Sequence, residues 1–140
     1  MDSTRKRVLI VEDDRFLRRA CQARLEQEGY VILTAQDGEE AVRMVRAEVP
    51  DLILLDLLMP KLTGLEVLRI LRAEEGTRTV PVLVLSNSSR QGDIESIRSL
   101  GISGYFVKAN LSLQDLSHQV KVLLEASNPT GGIDETHPGR

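Results

Sequence analysis

Five short apolar runs, at residues 8–11, 31–34, 52–55, 82–85 and 105–107, recur along the chain, and a segment of helical period follows each one. The runs are β-branched or leucine-rich with almost no polar alternation. That pattern suits strands covered on both faces, as in a parallel sheet. In the segments between them, Phe16, Leu17, Ala20, Cys21 and Leu25 predict the apolar face of a first helix, which Gly29 ends. Ala41, Val42 and Val45 mark a second helix. Leu65, Leu68 and Leu71, joined by Ile70, mark a third. Ile94, Ile97 and Leu100 mark a fourth, closed by Gly101. Leu113, Leu116, Val120 and Leu124 form the stripe of a fifth, opened by a capping box of Ser112 and Asp115. A βα unit repeated five times implies right-handed crossovers and one sheet between two helix layers, an α/β doubly wound fold.

The 140 residues suit one domain. Residues 7–126 are expected to form it, after a flexible N-terminus at 1–6. The segment 127–140 lacks apolar period and is rich in Gly, Pro, Ser and Thr, as a flexible tail or linker stub would be. A net charge of -3 argues against direct nucleic-acid binding, which calls for a basic face. The single cysteine, Cys21, excludes an internal disulfide, offers no metal spacing and reads as a small core hydrophobe. No apolar run nears the roughly 18–20 residues of a membrane span. The four-residue run after the basic N-terminus is too short for the core of a secretory signal. A cytoplasmic location is expected.

Ligand sites in such sheets lie beyond the carboxyl ends of the strands, where the strand order reverses. The residues that follow the runs are Glu12-Asp13-Asp14 after the first, Asp56 after the third, Ser86-Asn87-Ser88 after the fourth and Lys108 after the fifth. Carboxylates forced together raise one another's pKa unless something balances them. A hard cation such as Mg²⁺ does so with one or two carboxylates, a carbonyl and its own waters. A lysine and a hydroxyl nearby then suit a phosphoryl group. In such a site Asp56 is the nucleophile, as in aspartyl-phosphate chemistry. Plainer roles fit some of these residues. Asp14 suits a helix N-cap, Ser86 a turn or cap, and Tyr105 an edge-strand core position, which is compatible with a second role. Arg15, Arg18 and Arg19 read as a solvated helix face. His118 reads as a surface residue, and His137 lies in the tail.

The stretches Val8-Leu9-Ile10-Val11-Glu12-Asp13-Asp14, Asp51-Leu52-Ile53-Leu54-Leu55-Asp56-Leu57-Leu58-Met59-Pro60, Gly64, Pro81-Val82-Leu83-Val84-Leu85-Ser86 and Gly104-Tyr105-Phe106-Val107-Lys108 together resemble a two-component response-regulator receiver domain of the stand-alone type. The resemblance covers residues 7–125. It implies a flavodoxin-like (βα)5 fold with strand order 2-1-3-4-5. It implies that Asp56 is phosphorylated and that Mg²⁺ or Mn²⁺ is held by Asp13, by Glu12 through a water, by Asp56 and by the Leu58 carbonyl. Ser86 resembles the switch hydroxyl, Lys108 the lysine that pairs with the phosphoryl group or Asp56, and Tyr105 the aromatic that turns inward and reshapes the face of helix four, strand five and helix five. The implied partners are a sensor histidine kinase or His phosphotransfer protein and a downstream protein target, with the chain a monomer or a phosphorylation-dependent dimer. No enzymatic activity is implied beyond its own phosphotransfer and autodephosphorylation.

Two departures from that pattern stand out. Receivers usually follow the lysine with proline, often through a cis bond, whereas Ala109 and Asn110 follow Lys108 here. A cis bond before Ala would cost roughly 2.5–4 kcal/mol, so a trans bond is expected. Asn87 stands where a small residue is common, which narrows access to Asp56. Leu58 and Ser88 occupy positions that tune dephosphorylation in the family. The competing readings are a pseudo-receiver that binds without phosphorylation, a receiver cut from a longer multidomain regulator, and a phosphatase of the aspartyl-phosphate type. Such phosphatases usually place a second acid close after the nucleophile, and here Leu57 and Leu58 follow Asp56.

Overall fold

A computed structural model describes residues 5–59, 61–87 and 91–126. Pro60, Ser88 and the segment 127–140 with His137 lie outside these, as do residues 1–4. The strands are β1 (Arg7–Val11), β2 (Val31–Ala35), β3 (Leu52–Asp56), β4 (Val82–Ser86) and β5 (Gly104–Val107). The helices are α1 (Arg15–Gln27), α2 (Gly38–Ala47), α3 (Gly64–Ala73), α4 (Gln91–Arg98) and α5 (Leu113–Ala126). All strand pairs are parallel, in the order β2-β1-β3-β4-β5. The expected alternation and strand order are therefore present, and β1 lies beside β3.

Alternation along the strands divides the core in two. Leu9, Val11, Ile53, Leu55, Val82 and Val84 face Val42, Val45, Val67, Leu68, Leu71 and Ile97 of α2, α3 and α4. Val8, Ile10, Leu52, Leu54 and Leu83 face Cys21 and Leu25 of α1 and Leu116, Val120 and Leu124 of α5. The inner strand β3 is buried throughout, whereas the edge strands β2 and β5 are mostly half-buried.

Helix ends follow local chemistry. Asp14 caps α1, its Oδ1 accepting from Phe16 N at 2.9 Å and Leu17 N at 3.2 Å. Thr63 and Glu66 form a capping box on α3. Ser112 Oγ accepts from Asp115 N at 3.2 Å at the start of α5. The positive φ of Gly29 (98°) and Gly101 (85°) marks the ends of α1 and of the α4 segment.

Phe16 corrects one sequence expectation. It was assigned to the buried face of α1 but is 85% exposed. At 3.6 residues per turn it points about 140° from Cys21 and about 180° from Leu25, so it cannot share their face. Cys21 is buried, and desolvation pushes its thiol up to about 12, which suits the core role and not reactivity. Among the described residues no peptide bond is cis. The Lys108–Ala109 bond is therefore trans, as expected, and Lys108–Asn110 form a short 3-10 helix. Among the described residues no helix is long and apolar enough to cross a membrane.

Candidate functional site

Glu12 lies one residue beyond β1, Asp56 ends β3, and Lys108 lies one residue beyond β5. The strand order thus brings three elements that are distant in sequence to one edge. Glu12 continues the alternation of Val8 and Ile10, and Asp56 that of Leu52 and Leu54, so both carboxylates fall on the α1–α5 side. Both are buried. The Glu12 backbone is fastened by its N–H to Ala35 O at 3.1 Å.

Lys108 Nζ lies 3.0 Å from Glu12 Oε2 and 3.1 Å from Asp56 Oδ1. Glu12 Oε2 also accepts from Asp14 N at 3.0 Å, and Asp56 Oδ1 from Leu58 N at 3.2 Å. One oxygen of each buried acid is therefore well provided for. The other oxygens, Glu12 Oε1 and Asp56 Oδ2, are buried with no hydrogen-bond partner. Orphaned acceptors of this kind are rare in proteins and point to an ion or water. The exposed Asp13 joins them: Glu12, Asp13 and Asp56 each offer an oxygen within 4.8 Å of the others. Three carboxylates balanced by one ammonium leave room for a divalent cation of the oxygen-seeking class. The donor set fits Mg²⁺.

Burial, and then the Glu12 charge, push the Asp56 carboxyl up to about 7, while Lys108 pulls the other way. The Lys108 ammonium is held above its usual range: hydrogen bonds and charge attraction from Glu12 and Asp56 outweigh its desolvation.

The other predicted site residues lie around this centre. Ser86 ends β4, is buried, and pairs in register with Val107, next to Lys108 in sequence. Tyr105 is half-buried on the edge strand β5 and packs on the α2–α3–α4 core. It also lines a cavity of about 300 Å³ with Arg98, Ile102, Ser103 and Gly104. The Leu58 side chain is 66% exposed, so this residue meets the centre through its backbone. A second cavity, of about 520 Å³, opens beside Lys108 between Asp14, Phe16, Leu17, Asn87 and Ala109. Asn87 is exposed at this mouth.

Sequence reasoning missed three contributors. Gly64 enters the sequence reading only as part of the resemblance. Its N–H donates to Leu57 O at 2.9 Å, and a Cβ there would stand 2.2 Å from Asp56 O, so only glycine lets α3 start this close to the Asp56 backbone. Gly38 does the same for the loop after β3, since a Cβ would stand 2.2 Å from Leu62 O. A glycine at a helix start is the only trace either leaves in the sequence. Arg18, read as solvated, is half-buried and turns back onto the acidic loop, where Nη1 donates to Glu12 O at 2.8 Å.

The sequence and the fold both resemble those of known proteins. Residues 8–121 match the response regulator receiver domain family. The alkaline phosphatase synthesis transcriptional regulatory protein PhoP of Bacillus subtilis is 36% identical over 122 residues, which is 87% of this chain and 50% of that protein. The chain spans about half the length of the curated relatives it matches. Among solved structures, the receiver domain of the Pseudomonas aeruginosa sensor histidine kinase PA1611, with a magnesium ion coordinated in its active-site cleft, superposes with a TM-score of 0.78 at 30% identity, covering 86% of this chain and 98% of that one. The phosphorylated cyanobacterial phytochrome response regulator RcpA superposes with a TM-score of 0.75 at 34% identity, covering 87% of this chain and 93% of that one. The family match takes in all five strands and extends into α5, and the chain belongs to the response regulator receiver domain family, a module of two-component signalling.

Proposed function

We propose that the chain is a phosphorylation-controlled protein switch in which Asp56 accepts a phosphoryl group beside Mg²⁺ or Mn²⁺. The observation that carries this reading is the pair of orphaned buried oxygens, Glu12 Oε1 and Asp56 Oδ2, on two acids that cluster with Asp13 and share Lys108 through their other oxygens. Asp13, Asp56 and the Leu58 carbonyl would hold the cation, with Glu12 acting through a water. When bound, the cation neutralises charge on the transferring phosphoryl group.

The donor is a phosphohistidine of a sensor histidine kinase or His phosphotransfer protein. An Asp56 oxygen bonds to phosphorus, the P–N bond breaks, and the imidazole leaves with the electron pair. Lys108, already on Asp56 Oδ1, moves its charge onto the phosphoryl oxygens. The cavity of about 520 Å³ beside Lys108 gives the donor a way in. Ser86 donates its hydroxyl to the product, and Tyr105 follows, biasing the α4–β5–α5 face between two states that a downstream protein target distinguishes. The chain acts catalytically only on its own phosphoryl group. It works as a monomer or a phosphorylation-dependent dimer, without contacting nucleic acid itself. The phosphorylated relative and the magnesium-bound one support this reading. A second reading, a receiver that forms part of a longer transcriptional regulator, is favoured by the half-length match to PhoP.

Incubation with a small phosphodonor and Mg²⁺, followed by intact mass, tests the proposal. An adduct of about 80 Da, one phosphoryl group, that is absent in Asp56→Asn is expected. No adduct at any Mg²⁺ concentration would favour a phosphorylation-independent pseudo-receiver. Phosphate release over many turnovers would favour a hydrolase.

A further inference from the structure

Arg18 belongs to α1, yet its guanidinium reaches back across the start of the helix to the loop that carries two of the three acids. Nη1 donates to Glu12 O at 2.8 Å and, at longer range, approaches Asp13 O at 3.4 Å. Those two carbonyls belong to the peptide units on either side of Asp13. One guanidinium thus touches both flanks of the acid that has least else to hold it, because the Asp13 side chain is exposed whereas Glu12 and Asp56 are buried. We propose that Arg18 is a positioning residue for the cation: it fixes the Glu12–Asp13 turn so that the Asp13 carboxylate is presented together with those of Glu12 and Asp56. This inference rests on the metal-assisted phosphoacceptor reading above.

The turn is held from three directions. Glu12 N–H is tied to β2 through Ala35 O, Asp14 is tied to α1 as its cap, and Arg18 spans the peptide units between them. Groups that orient metal ligands without touching the metal commonly change affinity by about 10–100-fold when removed. Arg18 also has an opposite effect, because a fixed positive charge near a dication repels it. Removing the side chain therefore loosens the turn and relieves repulsion at once. The two consequences differ in sign, so a substitution series separates them. Lysine keeps the charge but loses the planar, multi-donor head. Methionine keeps much of the length and loses both.

The experiment is a MgCl₂ titration of the full chain, followed by the backbone amide shifts of residues 12–14 and 56–58, for wild type, Arg18→Lys, Arg18→Met, Asp13→Asn and the Arg18→Met/Asp13→Asn double variant. Folding of each is checked from the remainder of the same spectra. The expected result is Mg²⁺ affinity weakened by roughly tenfold in Arg18→Met and weakened also in Arg18→Lys, which loses the planar head and keeps the repulsion. Arg18→Met should add little further loss in the Asp13→Asn background, since its effect runs through Asp13. A merely structural arginine would move the unfolding midpoint but not this coupling. Unchanged affinity in both Arg18 single variants, tighter binding in Arg18→Met, or full additivity with Asp13→Asn overturns the proposal while leaving the phosphoacceptor reading intact. Absence of Mg²⁺ binding by the wild type overturns both. If Arg18→Met does not fold, Arg18→Lys and its double variant with Asp13→Asn decide the question alone.

Discussion

Arg72, at the amino end of the sheet, and Asp56, at its carboxyl end, both carry charge into a desolvated place, and the chain treats them differently. The Arg72 guanidinium donates to the carbonyls of Leu100, Gly101 and Val80 at 2.8–3.1 Å, and a longer bond reaches Thr77 O. It stitches the end of α3 to the entries of β4 and β5, and desolvation alone draws its pKa down. Asp56 keeps one oxygen orphaned, and burial together with the Glu12 charge pushes its pKa up. A satisfied half-buried charge contributes to holding the fold, whereas an unsatisfied buried one is a cost of the kind that clusters at functional sites. One end of each strand serves stability and the other serves the site.

Removing the satisfied charge gives the largest expected effect on stability. Arg72→Ala leaves several carbonyls without their donor and is expected to lower unfolding free energy by about 3 kcal/mol in urea titrations. Mg²⁺ affinity in the same variant should stay within about twofold. A large loss of affinity would show that the two ends are not independent.

Asp56→Asn tests the other end, with the opposite sign. The raised pKa means that the folded state keeps the Asp56 proton between roughly pH 4 and pH 7, where the unfolded chain has already lost it. Stability therefore falls as pH rises through that window. In metal-free buffer, Asp56→Asn should be more stable than wild type at pH 8. The gain should vanish near pH 4, where Asp56 is protonated in both states. Urea titrations at the two pH values check this, and a variant less stable than wild type at pH 8 would contradict it.

Mg²⁺ gives a smaller gain. At tenfold over its dissociation constant it should stabilise the wild type by about 1.4 kcal/mol at pH 8. Chelation should reverse the gain, and Asp13→Asn should reduce it. Smallest of all, Phe16→Ala is expected to change stability by less than about 0.5 kcal/mol, because the ring is exposed. A larger change in thermal unfolding would mean that the ring packs where its exposure says it does not.

The five βα units and the Glu12–Asp56–Lys108 cluster were legible in the sequence because each depends on position along a strand, whereas the sheet order came with the family resemblance. A residue just past an apolar run must emerge at the sheet's edge, and Glu12, Asp56 and Lys108 do. Phe16 is apolar and near the stripe in sequence, but its angle on the helix sets it opposite Leu25, which apolar character alone does not reveal. Arg18 and Arg72 were illegible for a different reason. Both bond to backbone carbonyls, which every residue has, so no partner residue in the sequence marks the contact. Gly38 and Gly64 were visible as glycines, but the backbone that approaches them comes from the end of β3 and the loop after it and is known only once the chain has folded.

The central claim is that Asp56 is the residue that takes the phosphoryl group. Exposing the full chain to a small phosphodonor and Mg²⁺, reducing any acyl phosphate with borohydride, and mapping the peptides by mass spectrometry reads that residue directly. The account predicts homoserine at position 56 in the Mg²⁺ sample and unmodified aspartate there when Mg²⁺ is chelated. Intact aspartate at 56 in both samples, or modification at Asp13 or His118 instead, would contradict it.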